Sequence, residues 1–121
     1  MQHHKFEDLK TWQMAREITK SIYQMTKGME FMRDRALQDQ MRRAAISVQA
    51  NIAEGFERNS KKEYVQFLSI AKASAGELRS HLYVAKDLEY IGDDHFEGLY
   101  EKLDHLSRIP SKHILFLKQS G

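Results

Sequence analysis

The stretch SVQANIAEGFERNSKKEYVQF, residues 47–67, contains the end of one helix, a short turn and the start of the next. Gly55 follows apolar residues at helical spacing, so we expect it to end the first helix in a left-handed conformation. Ser60-Lys-Lys-Glu63 matches a capping box, in which the serine hydroxyl accepts a backbone hydrogen bond and the glutamate reaches back. The segment therefore predicts a helical hairpin.

The same organisation extends over the whole chain. Apolar residues recur at intervals of three and four, and no stretch alternates with the period of two that a half-buried strand requires. Gly28 and Gly92 follow two other apolar runs as Gly55 does. We predict an all-α, antiparallel up-down four-helix bundle, with helices near 8–27, 35–54, 60–91 and 94–118. Pro110 predicts a kink or break in the fourth helix.

The composition limits the class of protein. A chain of 121 residues predicts a single domain, 1–121, in which we expect residues 1–6 to be flexible. The absence of cysteine excludes disulfides, thiolate metal sites and cysteine nucleophiles. Neither a signal peptide nor an apolar run of about 20 residues is present, so we expect a cytoplasmic protein that does not enter a membrane.

Polar residues lie beside the apolar stripes of the second and third helices. Ser47, Asn51 and Glu54 are spaced by four and three, and therefore share one side of a helix. Ser74 and Glu77 lie near the core stripe of the third helix. One interpretation is that this polar stripe fixes the helix register and specifies the assembly. The alternative is a solvated groove with no special role.

The motifs of catalysis are missing from the sequence. It contains no Glu-x-x-His pair of the ferritin-like metal sites, no glycine-rich phosphate loop, no G-x-S-x-G and no H-E-x-x-H. We therefore expect a protein that is not an enzyme, with no catalytic residues, metal, cofactor or small-molecule substrate.

The second and third helices carry more apolar surface than one bundle stripe needs. The additional residues are Ile46, Ala50, Ala53, Val65, Phe67 and Ile70. If all faced water, the exposed patch would exceed the few hundred Å² that a monomer usually shows. We therefore predict that this set forms a subunit interface. A wide core face with scattered apolar surface residues is the alternative.

Basic residues are concentrated in one segment. Residues 35–62 hold six basic and three acidic side chains, a local charge of +3 in a chain of +2. The candidates for contact with RNA or DNA phosphates are Arg42, Arg43, Arg58, Lys61 and Lys62. Alternatively, these cations only keep the protein soluble, or Arg42 forms an ion pair with Glu54 or Glu57 of a neighbouring subunit.

Four segments together carry a family likeness: FEDLKTWQMA (6–15), QMRRAAISVQANIAEG (40–55), KKEYVQFLSIAKAS (61–74) and ELRSHLYVAKDLEYI (77–91). They resemble the four-helix-bundle proteins encoded in intervening sequences of 23S rRNA genes. The resemblance implies a bundle that assembles as a ring, a homopentamer. It also implies kinship with the accessory protein of diversity-generating retroelements, which is similar to a basic barrel that binds nucleic acid and a reverse transcriptase.

These observations lead to two hypotheses about function, beside which a metal-dependent carboxylate enzyme stays open as a third. The first is a non-enzymatic, oligomeric helical-bundle protein that serves as a nucleic-acid-associated accessory factor. The second is a protein–protein interaction scaffold with no nucleic-acid role.

Overall fold

The described chain consists of helices joined by short turns. The computed structural model describes the backbone of residues 5–119 and the side chains of residues 5–109. A 3-10 turn, Phe6–Asp8, precedes five helices: α1 (Lys10–Met25), α2 (Met29–Arg33), α3 (Arg35–Phe56), α4 (Lys61–Asp87) and α5 (Asp93–Gln119). No strand occurs in residues 5–119. The predicted all-α bundle of four long helices is confirmed, and α2 is a short additional helix.

The four long helices surround one apolar core. Helices α1 and α3, α3 and α4, α4 and α5, and α5 and α1 pack against each other. Thr19 Oγ1 donates to Ala45 O at 3.3 Å, and Gln38 Nε2 donates to Thr26 O at 2.8 Å. These two contacts show that α1 and α3 are antiparallel. The largest fully buried apolar side chains are Ile22, Phe31, Met41, Ile52, Leu68, Leu78, Leu82, Leu103 and Leu106.

The first turn of the chain belongs to this core as well. Phe6 packs against the core and meets the Trp12 ring edge-on, with 5.1 Å between the ring centroids. The prediction of a flexible segment over 1–6 otherwise falls on residues 1–4, which lie outside the described residues.

Side-chain caps fix the starts of α3 and α4. Ser60 Oγ accepts from the Glu63 backbone N–H at 3.1 Å, as the capping box predicts. Asp34 Oδ1 accepts from the Leu37 backbone N–H at 3.2 Å and caps the start of α3. Asp34 Oδ2 also accepts from Tyr90 Oη at 3.0 Å. The start of α3 is therefore tied to the segment that follows α4.

The prediction that left-handed glycines end the helices is wrong. Gly28 has φ −61° and precedes α2, and neither Gly55 nor Gly92 has a φ in the left-handed range. Gly55 lies inside α3, which continues to Phe56. A Cβ added at Gly55 would lie 2.8 Å from Phe67 Cβ, so this glycine lets α4 approach α3 closely.

A glutamate occupies the left-handed position after α4. Glu89 has φ 62°, its N–H donates to Lys86 O at 2.9 Å, and the Tyr90 N–H donates to Ala85 O at 2.8 Å. This pair of hydrogen bonds is a Schellman motif, which satisfies the last carbonyls of the helix. It ends α4 at Asp87, four residues before the predicted end.

The last helix continues through its proline. α5 is helical from Asp93 to Gln119, so the backbone has no break at Pro110. A proline interrupts the hydrogen bonding of about one turn, and the helix can resume beyond it. The described side chains end at Ile109, so the kink predicted at Pro110 stays a prediction.

Within the described residues, no helix combines the length and apolar composition that a membrane span requires.

Candidate nucleic-acid interface

The first predicted phosphate contact, Arg42, is half-buried and contacts residues of its own subunit. Its Nε donates to Thr26 Oγ1 at 2.8 Å, and its Nη2 donates to Tyr23 O at 3.4 Å. The guanidinium also lies over the Tyr23 ring, 4.5 Å from the centroid. Arg42 therefore links α3 to the last turn of α1, where a cation interacts favourably with the helix carbonyls.

The other four predicted contacts are exposed but belong to two groups. Arg43 lies in the first half of α3, whereas Arg58, Lys61 and Lys62 surround the turn between α3 and α4. From Arg43 to the end of α3 at Phe56 is about 20 Å along the helix axis. Extended nucleic acid could contact both groups, but one phosphate could not.

Arg58 is engaged on its own surface. Its Nη2 donates to Glu54 Oε1 at 2.7 Å, and its guanidinium lies over the Phe67 ring, 4.8 Å from the centroid. With 42% of the Arg58 side chain and 53% of the Glu54 side chain accessible, this ion pair is solvated and exchangeable.

The predicted polar stripe divides into two parts. Ser47 Oγ and Ser74 Oγ are 2.7 Å apart across the seam between α3 and α4. The Asn51 amide donates to Ser47 O at 2.8 Å and to Ser47 Oγ at 3.0 Å. These three residues form one network in which the hydroxyls and the amide satisfy each other.

The two carboxylates of the stripe lie elsewhere. Glu54 pairs with Arg58, and Glu77 Oε2 is 3.2 Å from His81 Nε2, each at the i, i+4 spacing of a helix surface. Neither therefore joins the serine–asparagine network. Within the residues that the structure describes, no group of three or more histidine and acidic side chains could hold a metal ion.

The predicted interface set lies on the outer side of α3 and α4. Ile46 and Ile70 are 46% and 47% exposed, Ala50 is exposed, and Ala53, Val65 and Phe67 are half-buried. Burial of these side chains against another molecule would be favourable, at roughly 25 cal/mol for each Å² of apolar surface removed from water. The structure contains one subunit, so the role of this face stays a prediction.

Three tyrosines in the described region have raised pKa values, one through burial and two through hydrogen bonds. Burial raises the pKa of Tyr64, which packs over Gly55. A hydrogen bond with Tyr100 raises the pKa of Tyr83, and a hydrogen bond to Asp34 raises the pKa of Tyr90. All three shifts favour the neutral phenol.

The comparison with family models decides the relationship of this chain. The model of the 23S rRNA-intervening sequence protein matches residues 7–112. The chain belongs to this family. A solved structure of a protein of unknown function from the S23 ribosomal protein family of Bacteroides thetaiotaomicron is similar, with a TM-score of 0.79 and 20% sequence identity. The match covers 86% of this chain and 97% of that one. Comparison with curated proteins gives no match.

The similar solved structure supports the helical fold of this intervening-sequence family member. At 20% identity the likeness concerns the fold alone. The family match also confirms the resemblance that the four quoted segments indicate.

The fold brings two cations beside Arg42 that are not among the five candidate phosphate contacts, although one of them, Arg35, belongs to the basic segment 35–62. Lys27 and Arg35 line a cavity of about 390 Å³ together with Arg42, Met32 and Gln38. The i, i+7 spacing of Arg35 and Arg42 was visible in the sequence. The position of Lys27 could not be predicted from the sequence, since it depends on how the chain turns between α1 and α3.

Proposed function

We propose that this protein is a non-enzymatic, self-assembling accessory factor that associates with RNA or DNA in the cytoplasm. The observation that carries the proposal is the surface of α3 and α4, where an exposed apolar face lies between two groups of exposed cations. Ile46 and Ile70 belong to the apolar face, and Arg43 and Lys62 to the cations. Assembly through this face would bring cations of neighbouring subunits together.

The electrostatic part of the proposal depends on repetition. One subunit carries a net charge of only +2, with +3 in residues 35–62. Several subunits in one assembly multiply this charge, and the contact of several phosphates at once gives binding that is salt-sensitive and tolerant of sequence. A homopentamer would carry +10. The family name, which refers to an intervening sequence of 23S rRNA, supports RNA as the first nucleic acid to test.

The test is a titration of the protein with labelled single- and double-stranded RNA and DNA at two salt concentrations. We expect binding at low salt that weakens steeply as salt rises. The variant Arg43→Gln/Lys61→Gln/Lys62→Gln should bind more weakly and with a smaller salt dependence. A matched control with three substitutions on α1 and α4, Lys10→Gln/Lys20→Gln/Lys72→Gln, should retain more affinity. Absence of binding at low salt, or binding that salt does not change, would count against the proposal.

A protein–protein interaction scaffold is the second candidate function. It is favoured by large apolar side chains that are exposed away from the α3–α4 face, above all Met29 at 65% and Met32 at 57%. Methionine adapts to differently shaped partners, and such exposed patches mark interaction sites. Recovery of one defined protein partner after nuclease treatment, lost in Met29→Ser/Met32→Ser, would support this function over nucleic-acid binding.

A further inference from the structure

A basic cavity lies where the chain passes from α1 to α3. α1 ends at Met25, the chain turns through Thr26 and Gly28, and α2 carries it to the start of α3 at Arg35. The cavity has a volume of about 390 Å³, and its described lining residues are Lys27, Met32, Arg35, Gln38 and Arg42. Three of these five side chains are cations, and none is acidic.

Two lining residues of the cavity are held by contacts within the subunit. Gln38, only 9% exposed, donates from Nε2 to Thr26 O at 2.8 Å. Arg42 is fixed by its hydrogen bonds to Thr26 Oγ1 and Tyr23 O and by the Tyr23 ring. These contacts use Nε and Nη2 of the guanidinium, and its Nη1 has no partner among the described residues. A guanidinium held in this way is pre-organised to donate to an oxyanion.

The three cations have no counter-ion within the described residues. None of Lys27, Arg35 and Arg42 is in an ion pair there, although Asp39 is one helical turn from Arg35. Asp34, the carboxylate next to Arg35 in the sequence, accepts hydrogen bonds from the Leu37 N–H and from Tyr90 Oη. Like charges that converge without an anion repel each other, and natural proteins retain such local conflicts chiefly at functional sites.

We propose that the cavity of Lys27, Arg35 and Arg42 binds one phosphate group, and that this phosphate belongs to the backbone of the bound nucleic acid. Arg42 donates from its fixed guanidinium, while the exposed Lys27 and Arg35 close on the phosphate from the sides. The site is distinct from Arg43, Arg58, Lys61 and Lys62. The source of the phosphate rests on the proposed function, whereas the binding of a phosphate oxyanion does not.

The test uses the double variant Lys27→Gln/Arg35→Gln. Both residues are exposed and unpaired within the described chain, so the variant should fold, whereas replacement of Arg42 would disturb the link between α1 and α3. The matched control is Lys20→Gln/Lys72→Gln, which removes the same charge from exposed positions of α1 and α4. Wild type and both variants are titrated with an RNA oligonucleotide over a range of salt, and separately with inorganic phosphate and pyrophosphate.

We expect RNA affinity of Lys27→Gln/Arg35→Gln to fall by about tenfold at low salt. The slope of log K against log salt, which is negative, should decrease in magnitude by about one, the value for one lost phosphate contact. Pyrophosphate should raise Tm of the wild type and the control, shift the Arg42 Nε–H NMR signal and compete with RNA. It should do none of these in the double variant.

The other outcomes separate the two proposals. If pyrophosphate binds and RNA does not, the cavity is a site for small phosphate compounds. That result would overturn both the proposed function and the proposal that the bound phosphate belongs to a nucleic acid. Equal RNA binding by wild type and Lys27→Gln/Arg35→Gln, with no effect of pyrophosphate, would overturn the cavity proposal and leave the proposed function standing. If neither ligand binds the wild type, both proposals fail.

Discussion

Gly55 determines how closely α3 and α4 approach near their shared turn. A Cβ there would lie 2.8 Å from Phe67 Cβ and 3.0 Å from Tyr64 Cδ1. Alanine favours a helix over glycine by about 1 kcal/mol, but Phe67 Cβ is attached to the backbone of α4 and can move only with it. We therefore expect Gly55→Ala to lower the free energy of unfolding by about 1–3 kcal/mol, measured by urea denaturation.

Gly98 provides the matched control for this substitution. It lies within α5, is exposed, and has no atom within 4 Å of an added Cβ. Gly98→Ala should raise the free energy of unfolding by up to about 1 kcal/mol, because only helix propensity changes. Equal effects of Gly55→Ala and Gly98→Ala would show that the close approach at Gly55 imposes no constraint.

Glu89 is the reverse case: it has a Cβ at a left-handed position where glycine is preferred. A φ of 62° costs a residue with a side chain roughly 1 kcal/mol relative to glycine. We expect Glu89→Gly to raise Tm while it preserves the Schellman hydrogen bonds. Glu89→Ala, which keeps the Cβ, should leave Tm nearly unchanged. A lower Tm for Glu89→Gly would mean that the carboxylate makes a contribution that outweighs the backbone strain.

At the scale of helix pairs, Ser47 and Ser74 join α3 to α4 through a hydrogen bond of 2.7 Å. Ser74 is 9% exposed, so a lost partner would be replaced poorly by water. We expect Ser47→Ala and Ser74→Ala each to lower the free energy of unfolding by about 1 kcal/mol. The double variant should lose less than the sum, because both substitutions remove the same bond. Strict additivity would show that the two hydroxyls contribute independently.

The link between α3 and the end of α4 should weaken at alkaline pH. Tyr90 donates to Asp34, and this hydrogen bond raises the pKa of the phenol above its ordinary value of about 10. A raised pKa in the folded state stabilises the fold below about pH 10, and that stabilisation is lost as pH rises through the folded pKa. Tm of wild type should therefore exceed that of Tyr90→Phe at neutral pH, and the difference should shrink above about pH 10.

The control for this experiment is internal. Tyr64 and Tyr83 also have raised pKa values, so both proteins should lose some stability in alkali. Only the difference between wild type and Tyr90→Phe reports on the Asp34 link. A difference that is constant with pH would contradict the assigned hydrogen bond.

The elements themselves were largely predictable from sequence, because apolar periodicity records which side of each helix is buried. The ends of the helices were less predictable. Nothing in the sequence marks Glu89 as a left-handed residue, and Gly55 permits close helix packing instead of ending a helix. The candidate site depends on contacts between helices, and these cannot be predicted from residue spacing along a single helix. Arg42 thus turned out to contact α1, and Glu54 and Glu77 lie apart from Ser47 although all were assigned to one stripe.

At the scale of the whole molecule, some large apolar residues stay exposed because the core of one bundle does not bury them. Ile46 and Ile70 are each nearly half exposed on adjacent helices, although the core between the helices is already filled by fully buried side chains. Wild-type protein should therefore have a solution mass, measured by light scattering, that is a multiple of the 14.2 kDa chain. A fivefold multiple is expected for a ring of five subunits.

Charge placed on the apolar face distinguishes assembly through it from non-specific association. Ile46→Glu/Ile70→Glu should give a folded protein of 14.2 kDa, because two buried carboxylates per subunit without partners would prevent the interface from forming. Met29→Glu/Leu88→Glu adds the same charge at positions that are 65% and 51% exposed on other surfaces, and it should keep the mass of the wild type. A wild-type mass of 14.2 kDa at high concentration would overturn the assembly. The multiplied positive charge on which the proposed nucleic-acid binding depends would then be lost as well.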